Sequence, residues 1–288
     1  MRDHTIPGVA LAILAMIVLA ALLPEPRRSA PAALVAPGQD RIEAELERYR
    51  SMMAGGDPFS NPGYLNVDRG EQLWSTPAGQ KNADLSICDL GKGAGVVVGA
   101  IAALPRYFAD AGRVLDLEGR LLWCMVHIQG RSAVELIKLR FSNPDHTSDL
   151  EDLSAFVASK SNGMKLAPPL GHAREKAALA AGEALFFRRQ GPFDMSCASC
   201  HGVSGRRIRL QPLPAFSEVK EARAVMSSWP AYRVSQNALR TMEHRLYDCF
   251  WQMRLPKADY ASDGVIALTS YLAHKGAGAV IQVPSIKR

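Results

Sequence analysis

Residues 197–201 read CASCH, with thiols at Cys197 and Cys200 and His201 adjoining the second. Each thiol at this spacing can add to one vinyl group of a haem, and the adjacent imidazole can then reach the iron as an axial ligand. The rival use of these donors is a structural zinc site, with Cys249 as a third thiolate beside Cys197, Cys200 and His201. Neighbours such as Cys200 and His201 bend poorly around one small ion, so the spacing favours a single, covalently attached haem c. The chain has five cysteines, and Cys249, in MEHRLYDCFWQMR from Met242 onward, is the odd one. Its thiol is a spare, a link to another chain, or a reagent.

The elements that would hold these residues occur twice. RGEQLWSTPAGQKNADLSICDLG from Arg69 aligns without a gap on AGEALFFRRQGPFDMSCASCHG from Ala181, which sets Gly70 on Gly182, Trp74 on Phe186 and Cys88 on Cys200. EGRLLWC, ending at Cys124, matches EHRLYDC, ending at Cys249, and LSAFVASK from Leu153 resembles LTSYLAHK from Leu268. Three matches in one order describe two copies of one unit. Each copy opens on an amphipathic helix; in the second, Leu179, Gly182, Leu185 and Phe186 fall at helical spacing. A cysteine-bearing loop follows, then a proline-containing stretch, the E-x-R-L-x-x-C helix and a closing helix, which in the second copy stops at Gly276 behind Lys275. The stretch SKSNGMKLAPPLGHARE, rich in glycine, proline and polar residues, separates the copies. The expected fold is mostly α, two tandem cytochrome c-like domains with long loops, over residues 37–165 and 166–288. No strand is demanded.

Hydrophobic residues at 48% and charged residues at 22% fit an ordinary globular body and exclude a disordered chain. The net charge of +6 comes from scattered basic residues, which excludes a concentrated nucleic-acid-binding tract. At the N-terminus, Arg2 precedes an apolar run from Val9 to Leu23, which suits a signal-peptide core better than a spanning helix. Residues 1–36 are therefore read as a signal; Arg27 and Arg28 interrupt the small-residue pattern and leave its cleavage point unmarked, with a retained anchor as the alternative. The body is expected in the periplasm, where thiols can oxidise.

The first copy lacks the attachment motif. Opposite Cys197, Cys200 and His201 stand Leu85, Cys88 and Asp89. One thiol and the iron ligand are gone, so this copy is expected to carry no haem. Cys88 and Cys124 then remain without a cofactor between them, and a disulfide joining them follows from the shared frame.

GKGAGVVVGAIAALPRYFADAGRVLDLEGRLLWC, CASCHG and EHRLYDCFWQMR together resemble the SoxA family, cytochrome subunits of the SoxAX complex of thiosulfate oxidation. Leu85 and Asp89 place the chain with the single-haem type. The resemblance implies an L-cysteine S-thiosulfotransferase, joining thiosulfate oxidatively to a cysteine of the carrier SoxYZ while electrons leave through haem c to a cytochrome acceptor. It implies SoxX as the partner subunit, His201 and Cys249 as the axial ligands of the iron, Cys249 as the catalytic sulfur, and Arg245 in substrate binding. Helical geometry agrees: Arg245 and Cys249 lie one turn apart on one face, where a guanidinium can lower a thiol pKa and fork onto sulfonate oxygens. Against a special role, Arg120 holds the same place beside Cys124, so the arginine could serve the fold in both copies.

The competing reading is an exported monohaem electron carrier, with Met226, Met242 or Met253 as sixth ligand, although helical methionines more often fill cores. His244, next to Arg245, is expected to face solvent, and His127 and His172 to be structural. Arg240, Arg254 and Lys257 are read as a solvated basic face, or else as a rim for thiosulfate or an acidic carrier.

Overall fold

The structure is a computed structural model that describes residues 60–208, 211–255 and 258–287, with isolated helical positions at Arg41, Ala44, Glu45 and Arg48. The expected signal segment, residues 1–36, and Lys257 lie outside the described residues. The first copy contributes α1 (Gly63–Ser75), β1 (Arg106–Phe108), β2 (Arg113–Leu115), α2 (Leu117–His127), α3 (Ala133–Lys138) and α4 (Asp149–Ser159). The second contributes α5 (Ala173–Phe187), α6 (Cys197–His201), β3 (Arg207–Ile208), β4 (Gln211–Pro212) and α7 (Val219–Met226). It continues with β5 (Ala231–Arg233), β6 (Ala238–Arg240), α8 (Met242–Gln252), α9 (Asp263–Lys275) and β7 (Ser285–Lys287).

One glycine in each copy sets how its opening and closing helices cross. A Cβ on Gly70 of α1 would meet the Asp152 carbonyl oxygen of α4 at 2.1 Å; one on Gly182 of α5 would meet the Ala267 oxygen of α9 at 1.9 Å. Only hydrogen fits at either crossing, because the backbones themselves are in contact. Aromatic pairs one turn further on seal both crossings, Trp74 with Phe156 and Phe186 with Tyr271. The repeat is thus a repeat of packing.

The helix starts are repeated too. Asp116 caps α2 by accepting from the Gly119 N–H, and Thr241, its counterpart, caps α8 by accepting from the His244 N–H. Ser148 and Ser262 do the same for α4 and α9. Each cap satisfies an orphan donor and contributes about 1 kcal/mol. His172, expected to be structural, caps α5 in a box with Glu175 and stacks on Tyr107 at 3.8 Å. His127 packs its ring on Trp123.

Short strands are present where the sequence demanded none. β1–β2 and β5–β6 are matching antiparallel hairpins, and β7 adds to β5 in parallel with Arg233 opposite Lys287. Each strand has two or three residues, too few for an alternating pattern to show in sequence.

Glutamates at matching positions lock the copies together. Glu118, inside α2, accepts from the Thr241 hydroxyl, the Tyr260 hydroxyl and the Glu243 N–H at the start of α8. Glu243 accepts from the Ala261 N–H and pairs with Asp116, the cap of α2. Burial, then the Asp116 charge, pushes Glu118 up to about 8, and burial raises Glu243 well above the usual carboxylate range.

Beside them Glu151, fully buried on α4, accepts from the Ser142 N–H and contacts Arg240 and His244 of the second copy. Two expectations are corrected here. His244 does not face solvent: it is buried with its ring 4.0 Å from Phe141, because α8 is covered by the first copy on that side. Arg240 is not on a solvated face: it is buried on β6, bonded to Gln236, the Ser142 carbonyl and Glu151.

Candidate active site

Ser196 caps the single turn of α6 in a box with Ser199, which fixes Cys197, Cys200 and His201 on one short helix. Both thiols are unpaired. His201 Nδ1 lies 2.8 Å from the Pro214 carbonyl, which can only accept, so Nδ1 carries the proton and the Nε2 lone pair is left free. Burial, aided by the Arg245 charge, holds the imidazole below its ordinary value and therefore neutral. A neutral ring with its δ nitrogen fixed to a carbonyl is oriented for metal ligation. Phe216 sets its ring edge-on to His201, and the surrounding wall is apolar, built from Phe186, Phe216, Leu246, Phe250 and Met253.

Cys249 comes to this space from α8. It is unpaired, and its charge couples with those of both Cys197 and Cys200, so the three thiols share one region. Among the described residues no three such donors converge to hold an ion. Burial pushes the Cys197 thiol up to about 12, so as a free thiol it would be inert. Two thiols one turn apart, a fixed neutral imidazole and a further thiol in an apolar cleft fit haem c. Cys197 and Cys200 would form the thioether links, and His201 Nε2 and Cys249 Sγ are the available iron ligands. The expected lowering of the Cys249 pKa by Arg245 is present but does not set the net shift. Arg245 does lower it, but burial outweighs that effect and the thiol is raised.

Arg245 is one quarter exposed and its contact with Asp248, at 3.7 Å, is long for a hydrogen bond. Two cations that sequence reasoning missed stand near it. Arg233, on β5, has charge interactions with Arg245, Asp248 and Cys249, and its Nε is buried without a hydrogen-bond partner. Lys287, opposite it on β7, rests its ammonium 5.5 Å from the Trp229 ring centre. Burial, then Arg233 and Arg245, brings Lys287 down to about 8. Arg233 had a signal: WPAYR aligns with LPRYF, so this arginine stands where the first copy has Phe108. Lys287 had none, since only the parallel pairing of β7 brings it here.

The methionines are accounted for by packing. Met253 is buried among Leu246 and Phe250, and Met226 lies against Gly276. Met242 lines a cavity of about 70 Å³ between the copies, with Asp116, Glu118 and Trp229. Cys249 is not among the residues that line it. Arg254 stacks on the exposed Trp251 at 4.6 Å.

In the first copy the corresponding space is filled. Cys88 and Cys124 are fully buried and joined as a disulfide, with Cα atoms 5.8 Å apart. Leu85 is fully buried beside them. Arg120 forks onto Asp110 at 2.8 and 2.9 Å, donates to the Asp89 carbonyl, and is stacked by Phe108 and Trp123 at 4.2 and 4.4 Å.

The family described as SoxA/TsdA, cytochrome c domain, matches residues 69–166 and 181–281. An L-cysteine S-thiosulfotransferase subunit SoxA from Hydrogenophilus thermoluteolus is 45% identical over 86% of this chain and 89% of its own length. A protein of the same description from Hydrogenobacter thermophilus is 34% identical over 77% and 83%. Among solved structures, SoxXA from P. pantotrophus superimposes with a TM-score of 0.65 at 23% identity, covering 81% of each chain, and shares the fold.

Proposed function

Because this chain belongs to the SoxA/TsdA cytochrome c family, we propose that it is the haem-bearing subunit of an L-cysteine S-thiosulfotransferase of sulfur oxidation. The reaction joins the outer sulfur of thiosulfate to a cysteine thiol of a carrier, SoxYZ. One S–S bond forms, the thiol gives up its proton, and two electrons leave. Cys197 and Cys200 would hold one haem c, which would supply the one-electron redox chemistry that passes these electrons to a cytochrome acceptor. The protein acts in the periplasm with SoxX as its partner subunit; the signal pattern at residues 1–36 and the likeness to a SoxXA structure support this.

The observation that carries this reading is the placement of Cys249. A free thiol faces the CASCH turn, one helical turn from an arginine whose side chain has no short contact. Cys249 presents the reacting sulfur, and Arg245 receives the sulfonate oxygens, which keeps the outer sulfur turned toward the thiol. His201, its Nδ1 fixed by the Pro214 carbonyl, would offer Nε2 to the haem iron. A simple electron carrier needs none of the Cys249–Arg245 pairing.

The test is Cys249→Ala in the haem-loaded complex with SoxX. Thiosulfate conjugation, followed by mass spectrometry of the carrier, is expected to be lost and the visible spectrum to change. Full turnover with an unchanged spectrum would falsify the assignment.

A further inference from the structure

A cluster of positive charge around Cys249 exceeds what the protein itself balances. Arg233, Arg245 and Lys287 interact with one another electrostatically, and Asp248 is the carboxylate that enters the electrostatics of Arg233. Elsewhere in this molecule a buried arginine is matched: Arg120 by Asp110, and Arg240 by Glu151. Arg233 differs. Its Nε bonds to nothing, as in Arg106 and Arg113, but Arg106 donates to the Gly91 carbonyl and Arg113 to the Ala261 carbonyl and Asp263. Half-buried Arg233 makes no side-chain hydrogen bond or ion pair among the described residues. Like charges gathered in a partly desolvated place are costly unless an anion joins them.

The repeat shows where Arg233 points. Phe108 is the last residue of β1 and Arg233 the last of β5, in hairpins of the same register. In the first copy Phe108 lies on the guanidinium of Arg120. The same backbone position in the second copy aims Arg233 at Arg245, with Lys287 directly across the parallel pair. Two guanidiniums whose charges act on the thiol, with an ammonium whose charge acts on both of them, suit a terminal group with three oxygens and delocalised negative charge.

We propose that Arg233 and Lys287, with Arg245, form an oxyanion cradle beside Cys249 that grips the sulfonate end of the substrate and selects doubly charged, sulfonate-terminated sulfur donors. This rests on the reading that the Cys249 sulfur reacts. The carboxylates of a haem propionate share the chemistry, and the experiment separates the two anions.

Thiosulfate-dependent cytochrome reduction is measured with the haem-loaded complex at constant ionic strength. Losing one charge-assisted contact should raise KM for thiosulfate about 10–100-fold in Arg233→Gln or Lys287→Gln, with kcat close to the parent's and the haem spectrum retained. Arg233→Lys should recover much of the loss. An unchanged KM in both variants overturns the proposal. So does a shifted haem potential with KM unchanged, which would assign the cations to the propionates. If Arg233→Gln fails to retain haem, Lys287→Gln on the edge strand decides by the same criterion.

Calorimetric titration of thiosulfate into haem-loaded Cys249→Ala isolates binding from chemistry. Binding should persist there and weaken when Arg233→Gln is added; no difference between the two counts against the cradle. Full activity of Cys249→Ala would sink the sulfur assignment, while the titration still judges the cradle.

Discussion

Arg120 and Arg245 occupy the same place on the same helix of two copies, four residues before a cysteine, yet their surroundings have nothing in common. Around Arg120 every direction is closed by Phe108, Trp123, Asp110 and the Asp89 carbonyl, and the neighbouring thiol is tied to Cys88. Around Arg245 the counterparts of those groups are Arg233, Asp248, Ser235 and His201. The two flat rings have become a cation and an anion, the forked carboxylate a hydroxyl, and the loop aspartate an imidazole. A site is opened here by removing what satisfies its residues and leaving the frame in place. The partners that make Arg120 structural are missing from the second copy, which supports the proposed role of Arg245 in substrate binding over a purely structural one.

Three experiments would break or sharpen that contrast. Replacing Cys88 and Cys124 together by serine should cost about 3–4 kcal/mol of stability in denaturant titration, from the restored freedom of the unfolded loop. Haem content and thiosulfate turnover should stay at parent levels; a loss of haem would mean that the copies are not functionally separate. Exchanging the arginines comes next. Arg120→Ala should lower stability by about 3 kcal/mol, mostly from lost stacking and the cavity left behind, since Asp110 is half exposed and can rehydrate. Arg245→Ala should change stability by less than about 1 kcal/mol and lower kcat/KM for thiosulfate about 10–100-fold. Equal effects of the two substitutions on stability would erase the distinction.

The smallest effect concerns the feature that the copies still share. Glu118 and Glu243 are raised, chiefly by burial, so the folded protein keeps protons that the unfolded chain releases. The contribution of Glu118 is present below the ordinary value of 4.5 and is lost as pH rises through about 8, and Glu243 acts in the same direction. The melting temperature should therefore decline across that window, and Glu118→Gln should flatten the decline. A parallel curve for the variant would place the proton elsewhere.

The sequence made the repeat, the opening and closing helices and the CASCH turn legible, because these depend on local spacing and on glycines that only a close crossing explains. His244 was misjudged for a physical reason. Reasoning about adjacent helix positions assumes one covered face, and α8 is covered on two, by its own core through Leu246 and Phe250 and by the first copy through Glu243 and His244. Arg240 was lost to the same interface. Arg233 could have been found by extending the alignment to LPRYF and WPAYR, since a charge replacing an aromatic at a matched position is a signal by itself. Lys287 reaches the site only through strand pairing between distant parts of the chain, which no local pattern encodes.

The crossed glutamates have one more consequence. Each copy's sulfur-bearing helix starts beneath a carboxylate lent by the other, so neither half is a module that could be carried off alone. A duplicated unit joined in this way can lose the CxxCH motif from one member but cannot lose the member. The half without the motif is accordingly a foundation on which the other half stands.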